Sequence, residues 1–288
     1  MPRLNVDFYS FTLHSSTSAT VILPQSGADF LSGGIRYNEE GKIPVLWLLH
    51  GMGDDHTGWI RYTNLERYAL ARGIAVVCPA VLNQSFYCNM IKGTPYYDYI
   101  AYDLPKVMRE MFPQFSERRE DNYIAGLSMG GYGALKFGLS LPENYGHVGC
   151  LSAGNFVFFE KYLPSEEEAD SFLSPFYGIA RNSFGTPTME AAAGSDADLY
   201  TLLDRALAQG KLLPELHMYC GTEDFVKPIS DETADYIRPR VEGKTGFSYK
   251  QGPGVHNWDF WDHWLPVFMN DCGLTSLVEA AQFSEVKD

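Results

Sequence analysis

The run IPVLWLLHG (43–51) is apolar from end to end and closed by a histidine and a glycine. An unbroken apolar run of this length marks a strand buried on both faces, the kind found at the centre of a parallel sheet. IAVVCPAV (74–81) repeats the pattern, and between the two NLERYALARG (64–73) spaces its apolar residues for a helix that stops at Gly73. The alternation continues with YDYIAYDLPKVMREMFP (97–113) as helix, NYIAGLS (122–128) as strand, MGGYGALKFGLSLP (129–142) as helix and HVGCLSAG (147–154) as strand. Strand, helix and strand in repeated order predict an α/β fold: a mostly parallel central sheet with helices on both faces.

Upstream, LNVDFYSFTL (4–13) alternates apolar and polar residues and SATVILP (18–24) follows a Ser/Thr-rich turn, which predicts a hairpin or meander. Residues 155–195 lapse into aromatic and acidic sequence without a clear strand, and an excursion of that length inside a compact domain predicts a lid-like insertion. The helical pattern resumes at SDADLYTLLDRALAQG (195–210), where Ser195 or Asp196 is placed to cap, Asp196 and Asp198 read as helix-cap residues rather than catalytic acids, and Leu199, Leu202, Leu203, Ala206 and Leu207 share a face. LHMYCG, FSYKQGPG and the amphipathic WDFWDHWLPVFM then predict strand, strand and helix. No repeat or low-complexity linker interrupts the order, so residues 1–288 are expected to form one domain with one insertion.

Acidic residues outnumber basic ones 36 to 22, a formal net charge of −14, and no dense Lys/Arg run is present. That balance argues against nucleic acid or an anionic membrane surface as the main partner. The longest apolar runs fall short of the roughly 20 residues a membrane span needs. MPRLNVDFYSFTL lacks the continuous apolar centre of a signal peptide, so a soluble, cytoplasmic protein is expected. The five cysteines are scattered without a CxxC pair, which reads as buried small hydrophobes rather than a zinc knuckle or disulfide framework.

The chemistry centres on GLSMGGYGAL (126–135). Ser128 directly follows a predicted strand and precedes a predicted helix, and glycines two before and two after relieve the collisions a sharp strand-to-helix turn creates. A serine is a poor nucleophile near neutral pH, so it needs a histidine base oriented by a carboxylate. Of seven histidines, His256 alone lies in a glycine-rich loop (QGPGVHNW) between the last predicted strand and the last helix. CGTEDF places Glu223 and Asp224 just past a strand; Asp224 is preferred because loop acids in this role are commonly Asp. An oxyanion needs preorganised N–H donors. These are assigned to the backbone of Met129 and, from the loop LLHGMGDD, of Met52, with Gly51 next in line and His50 fixing the loop. His50, Asp54, Asp55 and His56 are suitable donors for zinc or manganese, but their spacing matches no standard zinc pattern, and neither metal nor cofactor is expected. Trp59, Phe86, Phe156 and Trp258 are candidates for an apolar substrate pocket.

LLHGMGDDHTGW, GLSMGGYGAL, CGTEDF and GVHNWDFW, in this order and spacing, resemble the esterase D / S-formylglutathione hydrolase family of α/β-hydrolases, with the bacterial tributyrin-esterase-like, acetyl- and feruloyl-esterase branches nearest. The resemblance implies an α/β-hydrolase fold and carboxylic-ester hydrolysis through an acyl-enzyme, with Ser128 as nucleophile, His256 as base, Asp224 as orienting acid and Met52 and Met129 as oxyanion donors. It also implies a small-molecule ester as substrate and frequent homo-oligomers. The early loop differs from the SGLTCTE type of the S-formylglutathione hydrolases, which favours short-chain acyl esters over that thioester. A thioesterase of that type and an acyltransferase of the mycolyltransferase-like type are the alternatives.

Overall fold

The computed structural model describes residues 2–26, 33–82, 84–91, 93–171 and 173–278. Its centre is an eight-stranded sheet of β1 (Arg3–Ser10), β2 (Ser15–Ile22), β3 (Val45–Leu49), β4 (Ala75–Pro79), β5 (Asn122–Leu127), β6 (His147–Leu151), β7 (Glu215–Gly221) and β8 (Phe247–Gly252). The strand order is β1-β2-β4-β3-β5-β6-β7-β8. The predicted N-terminal hairpin is β1 against β2, and β2 runs antiparallel to β4; every pairing from β4 through β8 is parallel.

All residues of β3, β4 and β5 are buried, as their apolar character requires. Along β3 the side chains divide strictly: Val45, Trp47 and Leu49 enter one core, Leu46 and Leu48 the other. The first core is covered by α4 (Leu104–Met111), α5 (Met129–Ser140), α7 (Leu199–Ala208) and α8 (Lys227–Val241). The second is covered by α1 (Gly58–Tyr62), α2 (Leu65–Arg72) and α9 (Trp258–Asp271). Two shorter helices are α3 (Tyr96–Asp98), which runs into α4 through a π-turn at Tyr99–Asp103, and α6 (Ser174–Ile179). Among the described residues no helix is long and apolar enough to cross a membrane.

One element departs from the sequence expectations. Helix α8 was not anticipated, although parallel β7 and β8 require a crossover; its buried stripe includes Ser230 and Thr233 beside Ile229, Ala234, Ile237 and Val241, so hydropathy conceals it. The hydroxyls are used: Ser230 donates to the Ala153 carbonyl at 2.8 Å, and Thr233 accepts from the Asn155 N–H at 2.8 Å. Of the cap candidates Ser195, Asp196 and Asp198, it is Asp198 that caps α7; its carboxylate accepts from the Tyr200 N–H at 3.0 Å and from Asn155 Nδ2 at 2.7 Å. Asp196 instead pairs with Arg205 at the surface. Residues 155–195 hold no strand among those described, but short helical turns at Phe156–Phe158, Glu160–Tyr162 and Glu190–Ala192 together with α6.

Asn122 opens β5 fully buried; its amide donates to the Ser116 and Arg118 carbonyls at 3.0 and 2.7 Å and accepts from Trp47 Nε1 at 3.0 Å. Asn122→Ala strands these buried groups, and urea denaturation is expected to show a loss of about 2–4 kcal/mol.

Candidate active site

Ser128 sits between β5 and α5 with φ 50° and ψ −120°, a left-handed backbone that non-glycine residues rarely adopt. Its N–H donates to the Leu151 carbonyl at 2.9 Å, which extends the β5–β6 ladder one residue into the turn. The turn leaves no space on either side. A Cβ on Gly126 would stand 2.9 Å from Gly130 Cα, and one on Gly130 would stand 2.7 Å from the His50 carbonyl oxygen. Both glycines are therefore steric requirements, and they bring Ser128 to the C-terminal edge of the sheet at the start of α5. The first-turn N–H groups of that helix supply positive dipole character there.

His256 and Asp224 meet in the loops after β8 and β7. With its proton on Nδ1, His256 donates to Asp224 Oδ1 at 2.9 Å and Oδ2 at 3.1 Å. The Asp224 side chain is fully buried. Burial alone would raise its pKa, but hydrogen bonds from His256, the Val226 N–H and the Ser152 hydroxyl outweigh that, and the net shift is below the ordinary carboxylate value. Glu223, the other acid considered, is exposed and accepts from the Gly254 N–H at 2.8 Å, bracing the histidine loop instead. Ser152, which sequence reasoning missed, has φ 51° at the end of β6 and accepts from Trp261 Nε1 at 3.0 Å. No residue-type signal distinguishes it in HVGCLSAG.

Ser128 and His256 line one cleft of about 540 Å³. No hydrogen bond joins Ser128 Oγ to the His256 ring among the described residues, an arrangement common in resting sites whose catalytic contacts tighten on substrate binding. Met52 lines the same cleft and Met129 is the first residue of α5; neither N–H has a hydrogen-bond partner among the described residues. The loop carrying Met52 is fixed by His50, whose Nδ1 bonds the Gly51 carbonyl at 2.8 Å and whose Nε2 accepts from the Val81 N–H at 3.2 Å. The Nδ1 proton is donated to the Gly51 carbonyl and the Nε2 lone pair is taken by Val81, so neither nitrogen is free for proton transfer in the cleft.

Of the four aromatic candidates only Trp258 lines the cleft, in edge contact with Trp59 at 5.4 Å. Trp59, Phe86 and Phe156 are fully buried behind it: Trp59 donates to the Leu49 carbonyl, and Phe86 packs on Phe156. The apolar walls are Tyr62, Phe176, Phe225 and Trp261, with Asp54, Asp55 and Arg61 also bordering the cleft. Phe176 belongs to α6, so the 155–195 segment contributes directly to the cleft, a contact invisible without the fold. A second cleft of equal volume, lined by Cys88, Lys136 and Arg205, contains no part of this arrangement. The donors of HGMGDDH diverge: His56 bonds Thr20 Oγ1 at 2.8 Å and Asp55 takes the Thr57 N–H at 2.7 Å.

Burial lowers the His50 pKa from its ordinary value, against smaller opposing effects of its Gly51 contact and Asp54. A histidine kept neutral in the folded state gives stability that is complete above the unfolded-state value of about 6.5 and lost as pH falls toward the folded one. The midpoint of thermal unfolding is expected to fall between pH 7 and pH 5, and to fall less in His50→Gln.

A family model described as "Putative esterase" matches residues 34–271. An acetyl esterase of Caldicellulosiruptor saccharolyticus is 27% identical over 266 residues, 92% of this chain and 96% of that protein. Among solved structures, the fluorophosphonate-binding serine hydrolase F of Staphylococcus aureus is 30% identical with a TM-score of 0.77, covering 96% of this chain and 99% of the other. An S-formylglutathione hydrolase of Staphylococcus aureus is 30% identical with a TM-score of 0.74, covering 95% and 99%.

Proposed function

The chain belongs to the esterase family matched over residues 34–271, and from that membership we propose that it is a serine carboxylesterase acting on short-chain acyl esters through an acyl-enzyme on Ser128. The observation that carries the assignment is the His256–Asp224 pair, at 2.9 and 3.1 Å, opening into the same cleft as a serine on a strained turn. Asp224 holds the imidazole with its proton on Nδ1, leaving Nε2 as the base. His256 takes the Ser128 proton as the oxygen attacks the ester carbonyl, then returns it to the leaving alcohol; water repeats the sequence on the acyl-enzyme. The Met52 and Met129 N–H groups receive the oxyanion. Residues 155–195 act as a lid that sets acyl preference through Phe176, which packs edge-on against Phe225 at 6.0 Å. A cleft of about 540 Å³ has room for a small ester.

The S-formylglutathione hydrolase relative supports a second reading, in which the leaving group is a thiol. The two separate on kcat/KM for p-nitrophenyl acetate or butyrate against S-formylglutathione, and the ester is expected to be favoured. Ser128→Ala is expected to lower kcat on p-nitrophenyl butyrate by at least about 10⁴-fold, and Asp224→Asn by about 10⁴-fold. Turnover retained in Ser128→Ala would rule out the serine mechanism. Added methanol tests for acyl transfer: free butyrate is expected to remain the main product.

A further inference from the structure

His147, Glu215, His217 and Cys272 converge at the opposite end of the sheet from Ser128. His147 opens β6 in register with Glu215 of β7, and His217 follows Glu215 by two residues, so the three side chains leave the same face. Helix α9 packs on that face, with Phe268 against the His217 ring at 6.0 Å, and the residue capping the C-terminus of α9 is Cys272. One ligand atom each from His147, His217 and Cys272 lies within 4.8 Å of the other two. Glu215 Oε2 stands 3.5 Å from His147 Nδ1 and 3.7 Å from His217 Nε2. Metal–ligand bonds of 2.0–2.3 Å in a tetrahedron put neighbouring donor atoms about 3.3–3.7 Å apart; the Glu215–imidazole distances already match, and the His147, His217 and Cys272 donors must draw in from a spread of up to 4.8 Å.

The two imidazole nitrogens turned to this point face the same Glu215 carboxylate oxygen, at 3.5 and 3.7 Å. His147 Nδ1 and His217 Nε2 are buried and make no well-formed hydrogen bond among the described residues, so a cation between them and the carboxylate would use both lone pairs. The other His217 nitrogen, Nδ1, is 2.9 Å from Ser248 Oγ. A proton on Nδ1 donated to that hydroxyl leaves the Nε2 lone pair facing the cluster, the outer contact typical of a metal-bound histidine. Tyr123 stacks on His147 at 4.9 Å and 6°, fixing the first ring in the same way.

We propose that His147, His217 and Cys272, with Glu215 as fourth ligand, bind a borderline transition-metal dication, zinc first among them. Nitrogen, sulfur and carboxylate donors in a small tetrahedral set suit that ion better than calcium or magnesium. The site is structural, joining β6, β7 and α9. These elements carry Ser152, Asp224 and His256 at their far ends, with about 13 Å of strand between His147 and Leu151 separating the metal from the chemistry. The assignment stands independently of the esterase reading.

Titration of the metal-free protein with Co²⁺ tests it, read by the thiolate-to-cobalt charge-transfer absorption and the intense visible bands of tetrahedral cobalt. One equivalent is expected to bind, to be displaced by Zn²⁺, and to lose its charge-transfer band in Cys272→Ser. Zn²⁺ at a hundredfold excess over Kd is expected to raise the wild-type melting temperature by about 5 °C. Ser248→Ala, which alters no ligand, is expected to weaken binding by about 10- to 100-fold; it serves if Cys272→Ser fails to fold. Hydrolysis of p-nitrophenyl butyrate should be unchanged by either substitution. A wild-type protein showing no thiolate–cobalt band, a band that survives in Cys272→Ser, or equal affinity in Ser248→Ala would each overturn the proposal.

Discussion

Two backbone hydrogen bonds organise this site: Ser128 N–H to the Leu151 carbonyl at 2.9 Å and Ser152 N–H to the Tyr219 carbonyl at 2.7 Å. Each carries the parallel ladder one step beyond a strand end and pins a serine whose φ is near +50°. A left-handed non-glycine residue costs about 1–3 kcal/mol, so it persists only where its surroundings over-determine it. Here the surroundings are the register of β5, β6 and β7, which places the ends of three adjacent strands side by side. One strained serine presents its hydroxyl to the cleft; the other supports the buried acid.

The electrostatic arrangement follows from that placement. A carboxylate whose side chain is wholly buried must be compensated by hydrogen bonds or lose its charge. Asp224 receives them from His256, Val226 and Ser152, and Ser152 is itself held by Trp261 of α9. The helix that follows the base therefore also steadies the acid. On the opposite wall, His50 uses both ring nitrogens to hold the loop that carries Met52, so its contribution to the site is geometric.

Much of this was legible in the sequence because the physics was local. A strand buried on both faces must be apolar throughout, as β3 and β4 are, and a turn that brings backbone within van der Waals contact must carry glycine, as Gly126 and Gly130 do. What escaped was decided at long range or by polar burial. Helix α8 hides its inner face behind Ser230 and Thr233, and the Asn155 amide that holds the Asp198 cap comes from 43 residues away. The aromatic pocket was misread for the same reason: Trp59, Phe86 and Phe156 are as apolar as Phe176 and Phe225, and only the path of the chain decides which of them reaches the cleft.

The central claim is that Ser128 alone accepts the acyl group. It is tested most directly by reacting the protein with an alkyl fluorophosphonate and locating the adduct by peptide mass spectrometry. One adduct per chain on Ser128, formed in step with loss of p-nitrophenyl butyrate hydrolysis, is the predicted result. An adduct on another residue, or full hydrolysis surviving complete modification of Ser128, would contradict the account.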